Sequence, residues 1–257
     1  MKFLRIFYLL LVFGSVPVFA AYNDRVYQGI NPIWKTFEGI QDHLGIISLF
    51  IPETSTVLEV GAFDGSDSVT LAKRWPRGNI ISFEANPLQF RKYQERVQGL
   101  SNTLGQNLAV NTYNGNVKFY VCWGTGGKDP VFERASSLLE PSESMKIHYM
   151  GPEITLPCVV FDDWCRDNSV SEVDFMWVNL EGFEKQFITS SPNILKTVKV
   201  IYTKTNFYNF RKGTTQFSDL HAFLQNQGFR MIAHWYHEGL QGDAIFVRNS
   251  ILKAKGM

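Results

Sequence analysis

The sequence predicts an α/β fold: an open, mostly parallel sheet with helices on both faces and one antiparallel edge strand supplied by a C-terminal β-hairpin. Three stretches predict it. Thr56 to Pro87, TVLEVGAFDGSDSVTLAKRWPRGNIISFEANP, passes from a β-branched run through a glycine turn and a helical segment into a second apolar run. Val173 to Leu180, VDFMWVNL, is nearly all apolar, as expected of a central parallel strand covered on both faces. Phe229 to Tyr236 and Ala244 to Val247 bracket a glycine-containing connection, so the chain closes in a hairpin rather than another crossover.

Taken in order, Tyr22 to Phe50 has apolar residues at Ile33, Phe37, Ile40 and Leu44, a helical spacing that predicts a cap of one or two helices. Val57, Leu58 and Val60 form the first strand, and the helix after Gly65 stops at Pro76 and Gly78. Ile80 to Phe83 is the second strand and ends on Glu84. Asn86 caps a helix with Pro87 at its first position, and Leu88, Tyr93 and Val97 are expected on its buried face. Thr103 to Val110 reads as a third strand, and Val117 to Cys122 as another across the turn Asn114-Gly115-Asn116. The stretch 124–157 is the least regular and the candidate substrate-facing loop. Beyond it come Ile154 to Phe161, a helical segment from Asp162 to Arg166, the helix FEKQFITS, a strand at Val198 to Tyr202 and a helix from Phe217 to Gln227.

The composition sets bounds on function. With 45% hydrophobic and 19% charged residues the chain is globular rather than disordered, and 25 Lys+Arg against 24 Asp+Glu leaves no basic surplus for a nucleic-acid backbone. Residues 1–20 differ: Lys2 and Arg5 precede the uncharged run FYLLLVFGSVPVFA, the pattern of a signal peptide or, if uncleaved, of a membrane anchor. Either way the positive-inside rule puts the folded part outside the cytoplasm. The expected organisation is thus a leader at 1–20, a helical cap at 21–53 and an α/β domain at 54–257. Cys122, Cys158 and Cys165 are too scattered for a metal cluster and leave open one disulfide or three buried thiols.

Strand, glycine turn, helix and a strand ending in a carboxylate is the order of a nucleotide-binding βαβ unit. Dinucleotide enzymes use G-x-G-x-x-G; this chain has Glu59-x-Gly61-x-x-x-Gly65, which disfavours a nicotinamide oxidoreductase. A carboxylate at that strand end repels a pyrophosphate and accepts from an ammonium, favouring a zwitterionic sulfonium ligand. Glu84 is placed to accept the two hydroxyls of a ribose.

The pieces VLEVGAFDG, FEANP, QNLAV, ASSLL, FDDWC and VDFMWVNLEGFE, in that order, resemble the FkbM family of class I S-adenosylmethionine-dependent methyltransferases, from about Thr54 onward. The resemblance implies a Rossmann-like, seven-stranded sheet, S-adenosyl-L-methionine as methyl donor, and O-methylation of a hydroxyl on a sugar, glycan or small natural product. By position it implies that Glu59, Gly61, Ala62 and Gly65 form the methionine turn, that Glu84 and Ala85 hold the ribose and that the stretch from Asn107 to Ala109 approaches the adenine. Asn179, Leu180, Glu181 and Gly182 then floor the site where the methyl group moves. The family usually reads K-x-D-x-E-G-x-E; here Trp177 replaces the lysine and Asn179 the aspartate, and Lys204 stands where the next strand tends to carry a glutamate. Asn cannot take a proton, so Glu181 is the first proton acceptor to consider, and the alternative is a catalytically weakened binding protein.

Other polar groups have structural readings. Glu181 is open to a second role as a helix cap, and Asp64 is expected to cap the helix after Gly65. Asp162-Asp163 is a helix start before it is a metal pair. His234 and His237, three apart on a strand, point to opposite faces and share no metal. Phe207, Tyr208 and Phe210 beside Arg211 and Lys212 fit either sugar stacking or loop packing.

Overall fold

The computed structural model describes residues 42–127, 130–237 and 240–257. The expected leader and residues 21–41 of the expected cap lie outside the described residues. Among the described residues no helix is long and apolar enough to cross a membrane.

Helix α1 (His43–Ser48) is capped by Asp42, whose carboxylate accepts from Leu44 N at 2.9 Å and Gly45 N at 3.1 Å. Its six residues are too few to be stable alone. Buried Leu44, Ile46 and Ile47, worth about 1.5–3 kcal/mol each, fix it to one face of the sheet.

The chain then alternates β1 (Thr56–Val60), α2 (Ser66–Arg74), β2 (Asn79–Phe83), α3 (Pro87–Arg96) and β3 (Thr103–Gln106). A small excursion follows with β4 (Ala109–Val110), β5 (Gly115–Tyr120) and β6 (Glu153–Val159). The main sheet resumes through α4 (Phe161–Asp167), β7 (Phe175–Val178), α5 (Glu184–Thr189), α6 (Pro192–Leu195) and β8 (Val200–Asn206). It ends with α7 (Phe217–Asn226), β9 (Phe229–His237), β10 (Gln241–Arg248) and α8 (Asn249–Ala254). The seven-stranded order is β3-β2-β1-β7-β8-β10-β9, and β10 is antiparallel to both neighbours. The period-two alternation of β1 splits the core. Leu58 and Val60 face Met176, Val178, Ile201 and the helices α4 to α7, whereas Val57 faces Phe175, Val200, Leu71 and α1.

Four expectations need correction. The antiparallel strand is not at the edge: the hairpin folds back so that β10, with consecutive buried residues from Ala244 to Val247, inserts between β8 and β9. The third strand breaks after Gln106, because the Asn107 side chain donates to the Glu84 carbonyl (2.8 Å) and the Ala85 carbonyl (3.2 Å). Ala109 and Val110 then pair with Cys158 and Val159 in a separate three-stranded sheet, β4-β6-β5. Because β6 lies between β4 and β5, Asn114 to Asn116 joins no hairpin, and Gly115 and Asn116 are already in β5. On α3, Leu88 is 51% exposed and Val97 half-buried; Gln89 and Tyr93 face inward. The Tyr93 ring occupies the space above Gly65 and Gly105, where a Cβ at Gly105 lies 2.2 Å from Tyr93 Cε1.

Cys122, Cys158 and Cys165 are free, buried thiols. Asp162 accepts from Asn193 N (2.8 Å) and Ile194 N (3.0 Å) at the start of α6, while Asp163 pairs with Arg166 at 2.7 Å, so the two acids act separately. His234 is buried against Thr205 Oγ1 at 2.9 Å, and His237 lies 2.6 Å from Asp243. Phe207 packs on Phe217 and Tyr236, and Tyr208 on Phe210, which is loop packing.

Candidate active site

At the carboxyl end of β1 the chain turns at Gly61, with φ +86°, so closely that an added Cβ lies 2.1 Å from the Asn179 carbonyl oxygen. Gly61 N and Ala62 N both donate to Phe83 O, at 2.9 and 3.0 Å, locking the turn to β2. Phe63 follows at φ +50°, a left-handed backbone rare outside glycine, and its N–H donates to Glu84 Oε2 at 2.7 Å. Glu84 Oε1 accepts from Asn86 N at 2.8 Å. The carboxylate is therefore fixed in direction, and burial pushes it up to about 7 against the pull of those two N–H groups. Asp64 accepts from Ser66 N (3.2 Å) and pairs with Arg96 (2.9 Å), but the N-cap is Gly65, so Asp64 lies one residue before the capping position expected of it.

Gly61, Glu84, Ala85, Ala109, Asn179, Leu180 and Glu181 come together around one cleft. Glu59, Ala62, Gly65 and Asn107, expected at the cofactor, do not line it. Glu59 shares the Val57 face of β1 and turns to the hydroxyls of Ser68 and of Ser82 (2.7 Å), with Oε1 unpartnered. Burial pushes its carboxyl up to about 8, past the effect of both serines. Asn107 instead clamps the Glu84 and Ala85 carbonyls from outside.

On the far wall, Glu181 (φ +51°) and Gly182 (φ +109°) make a second left-handed turn. Glu184 stabilises it: Oε1 accepts from Leu180 N and Gly182 N, each at 3.1 Å, and the Ser137 hydroxyl donates to Leu180 O at 3.2 Å. The capping role considered for Glu181 is not filled, since the helix starts at N-cap Phe183 without a side-chain cap; Glu184 holds the turn before it, and burial pushes its carboxyl up to about 7. Glu181 instead meets Lys204 Nζ at 2.5 Å. We expect Glu184→Ala, which strands two buried N–H groups, to cost about 2–5 kcal/mol in a urea titration; an unchanged midpoint refutes this role.

Asp67, Glu133, Ser137 and Lys204 also line the cleft. Glu133 is buried on the side chains of Asn86 (3.4 Å) and Gln89, and it carries no motif by which the sequence flags it. Ser137 falls within the quoted ASSLL, and Lys204 stood out as a departure. The irregular stretch is pinned by Arg211, which donates to Ala135 O and to Leu139 O (2.9 Å) and stacks on Tyr149.

A doubly wound sheet with a glycine turn after β1, a directed carboxylate after β2 and an acid-bearing turn after β7 defines a class I S-adenosylmethionine-dependent methyltransferase. A family model described as the methyltransferase FkbM domain matches residues 59–231. The chain belongs to the FkbM methyltransferase family. It is 24% identical over 234 residues to the 2-O-methyltransferase NoeI of Sinorhizobium fredii (strain NBRC 101917 / NGR234), spanning 90% of this chain and 94% of that protein. Similar solved structures include Aeropyrum pernix fibrillarin with natively bound S-adenosyl-L-methionine (11% identity, 77% of this chain and 69% of that one, TM-score 0.47). The N-terminal domain of EvdMO1 with SAH bound is another (12%, 81% of each chain, TM-score 0.48).

Proposed function

We propose that the protein O-methylates a hydroxyl of a sugar, glycan or small natural product, with Glu84 holding the cofactor's ribose and Glu181 taking the acceptor's proton. The observation that carries this reading is Glu84: each oxygen accepts one backbone N–H, and each keeps acceptor capacity for one hydroxyl of a vicinal diol. Asn179 Oδ1, buried in the cleft wall without a partner, suits an ammonium donor and supports the same fit. S-adenosylmethionine supplies a methyl group made electrophilic by its sulfonium. The chain's own part is alignment, since Glu84 and the Gly61 turn orient one reactant against the other, plus one proton acceptor. The 2-O-methyltransferase relative supports an oxygen as the methyl acceptor.

Glu84→Ala is expected to weaken S-adenosylhomocysteine binding at least about 100-fold in calorimetric titration, because two hydrogen bonds to a charged group, worth about 1.5–3 kcal/mol each, are lost. No measurable wild-type binding at millimolar ligand refutes the reading. A second reading, a binding protein that does not turn over, is favoured by Asn179, which cannot take a proton. Transfer of label from methyl-labelled S-adenosylmethionine into D-fucose and neutral oligosaccharides separates the two. The basic residues ahead of the apolar leader support export of the domain, which fractionation of expressing cells tests.

A further inference from the structure

Lys204 is the wall residue that cofactor binding leaves unexplained. Its ammonium sits 2.5 Å from Glu181 Oε1, with the two side chains only 17% and 11% exposed. Surface pairs such as Lys118–Glu153, at 66% and 45%, contribute little; a pair inside a cleft wall is screened far less. Burial alone pulls the Lys204 ammonium down, and Glu181, Asp243 and Glu184 more than offset it, so the lysine stays charged well above neutral pH. The backbone supports the same arrangement. Glu181 occupies a left-handed conformation that a non-glycine residue adopts at a cost of about 1–3 kcal/mol. Glu184 holds that turn through Leu180 N and Gly182 N, which keeps Glu181 on the cleft and within reach of Lys204.

Resting on the methyltransferase reading above, we infer that Lys204 is a positioning residue: across the carboxyl ends of β7 and β8 it holds Glu181 as an ionised carboxylate facing the cleft. Lys204 occupies Oε1, so the acceptor's hydroxyl proton passes to Oε2. The oxygen uses the electron pair of its O–H bond, or a lone pair made available by that transfer, to form the new O–CH3 bond. The old C–S bond breaks with its pair remaining on sulfur, which becomes a neutral thioether, so charge and protons balance. The Asn179 and Lys204 departures then compensate each other: the lost aspartate is replaced functionally by a glutamate two residues on, held by the lysine that replaced a glutamate. The other charged or titratable groups around the pair are Glu184 from α5, Asp243 from β10, and Tyr149, Arg211 and Cys122 from the loops.

The test needs no acceptor. Sinefungin carries a protonated amine where the sulfonium methyl stands, and S-adenosylhomocysteine is neutral there. Both are titrated calorimetrically against the full chain between pH 5.5 and 8.5. The ratio of their Kd values cancels groups that both ligands meet alike. The wild type sets the baseline, which includes the drift from Glu184, pushed up to about 7 by burial and retained in every variant. In Lys204→Met, Glu181 keeps its acidic neighbour but loses its counter-charge, and the preference falls by about a further tenfold as pH is lowered. Lys204→Arg follows the wild-type curve, and Glu181→Gln/Lys204→Met shows no step beyond it. A Lys204→Met ratio that follows the wild-type curve, or a step beyond that curve that survives the loss of the Glu181 carboxylate, overturns the proposal. If Lys204→Met binds neither ligand, the comparison is Lys204→Arg against Glu181→Gln: preference kept in the first and lost in the second supports the pair, and equal ratios overturn it. A wild type that binds neither ligand overturns the methyltransferase reading instead.

Discussion

Gly61→Ala is expected to abolish S-adenosylhomocysteine binding and to lower stability by about 2–5 kcal/mol, from a left-handed backbone that an L side chain resists and an overpacked turn. The new methyl group lies 2.1 Å from the Asn179 carbonyl oxygen, a backbone atom at the end of a central strand that cannot swing aside. Relief requires β1 and β7 to separate at the point where both walls of the cleft begin. At about 2–4 °C per kcal/mol for a domain of this size, the midpoint of thermal unfolding falls by roughly 5–20 °C. Gly65→Ala is the control: φ there is +78°, but its nearest neighbour is Tyr93 Cδ2 at 3.0 Å, a ring atom, although Tyr93 Cα follows at 3.1 Å. It is expected to be the milder of the two. Equal effects refute the claim that the Asn179 contact is the decisive one.

The second large effect is a pH dependence of stability set by Glu59. In the folded chain its carboxyl is pushed up to about 8 by burial, against an unfolded value near 4.5. A folded-state pKa above the unfolded one means that the native state holds the proton longer. Its stabilising contribution is complete below about pH 4.5 and is lost as pH rises to about 8, at about 1.4 kcal/mol per pH unit. Glu84 and Glu184, each pushed up to about 7, add slopes of the same sign. Glu59→Gln removes one of the three, so relative to wild type the variant gains on the order of 4 kcal/mol between pH 4.5 and 8. The unpartnered Oε1 position costs the amide a pH-independent amount, which does not affect the slope. Urea midpoints taken every half pH unit measure it, and parallel curves for the two proteins exclude Glu59 as the source.

The parts of the fold that could be read from sequence were those written locally. The βαβ unit was legible because β-branched alternation, two glycines and a proline stop fall within one short stretch, and each is resolved by its own neighbours. The split of β3 from β4 was not. It depends on Asn107 reaching the carbonyls of Glu84 and Ala85, more than twenty residues upstream. The hairpin was legible, but its placement was not: both strands are apolar, and only pairing with β8 shows that β10 goes inside. For the site, the period of two already put Glu59 on the same face as Val57, yet nothing local says which face the ligand meets. The sequence marked Lys204 as a departure, while its partnership with Glu181 depends on two strand ends brought together by the sheet. The role of Glu184 was hidden for the opposite reason: a carboxylate at a helix start has an ordinary explanation, and the turn it holds lies just before it.

In the small sheet, Tyr120 and Glu153 are directly paired at the open ends of β5 and β6. The irregular stretch 121–152 therefore leaves and re-enters the domain at one point, like a cassette mounted on a two-stranded stem. Closing a longer or shorter cassette on that stem changes the loop entropy by only about 0.6 kcal/mol per doubling of length. Ser136, Ser137 and Leu138 of the cassette reach the cleft, while the glycine turn and Glu84 belong to the main sheet. Exchanging the cassette nevertheless reaches the rest of the cleft, because its Glu133 accepts from Asn86 and Gln89 and its Ser137 hydroxyl donates to Leu180 O. The joints to preserve are the Tyr120–Glu153 pair and the Arg211 anchor on Ala135 and Leu139.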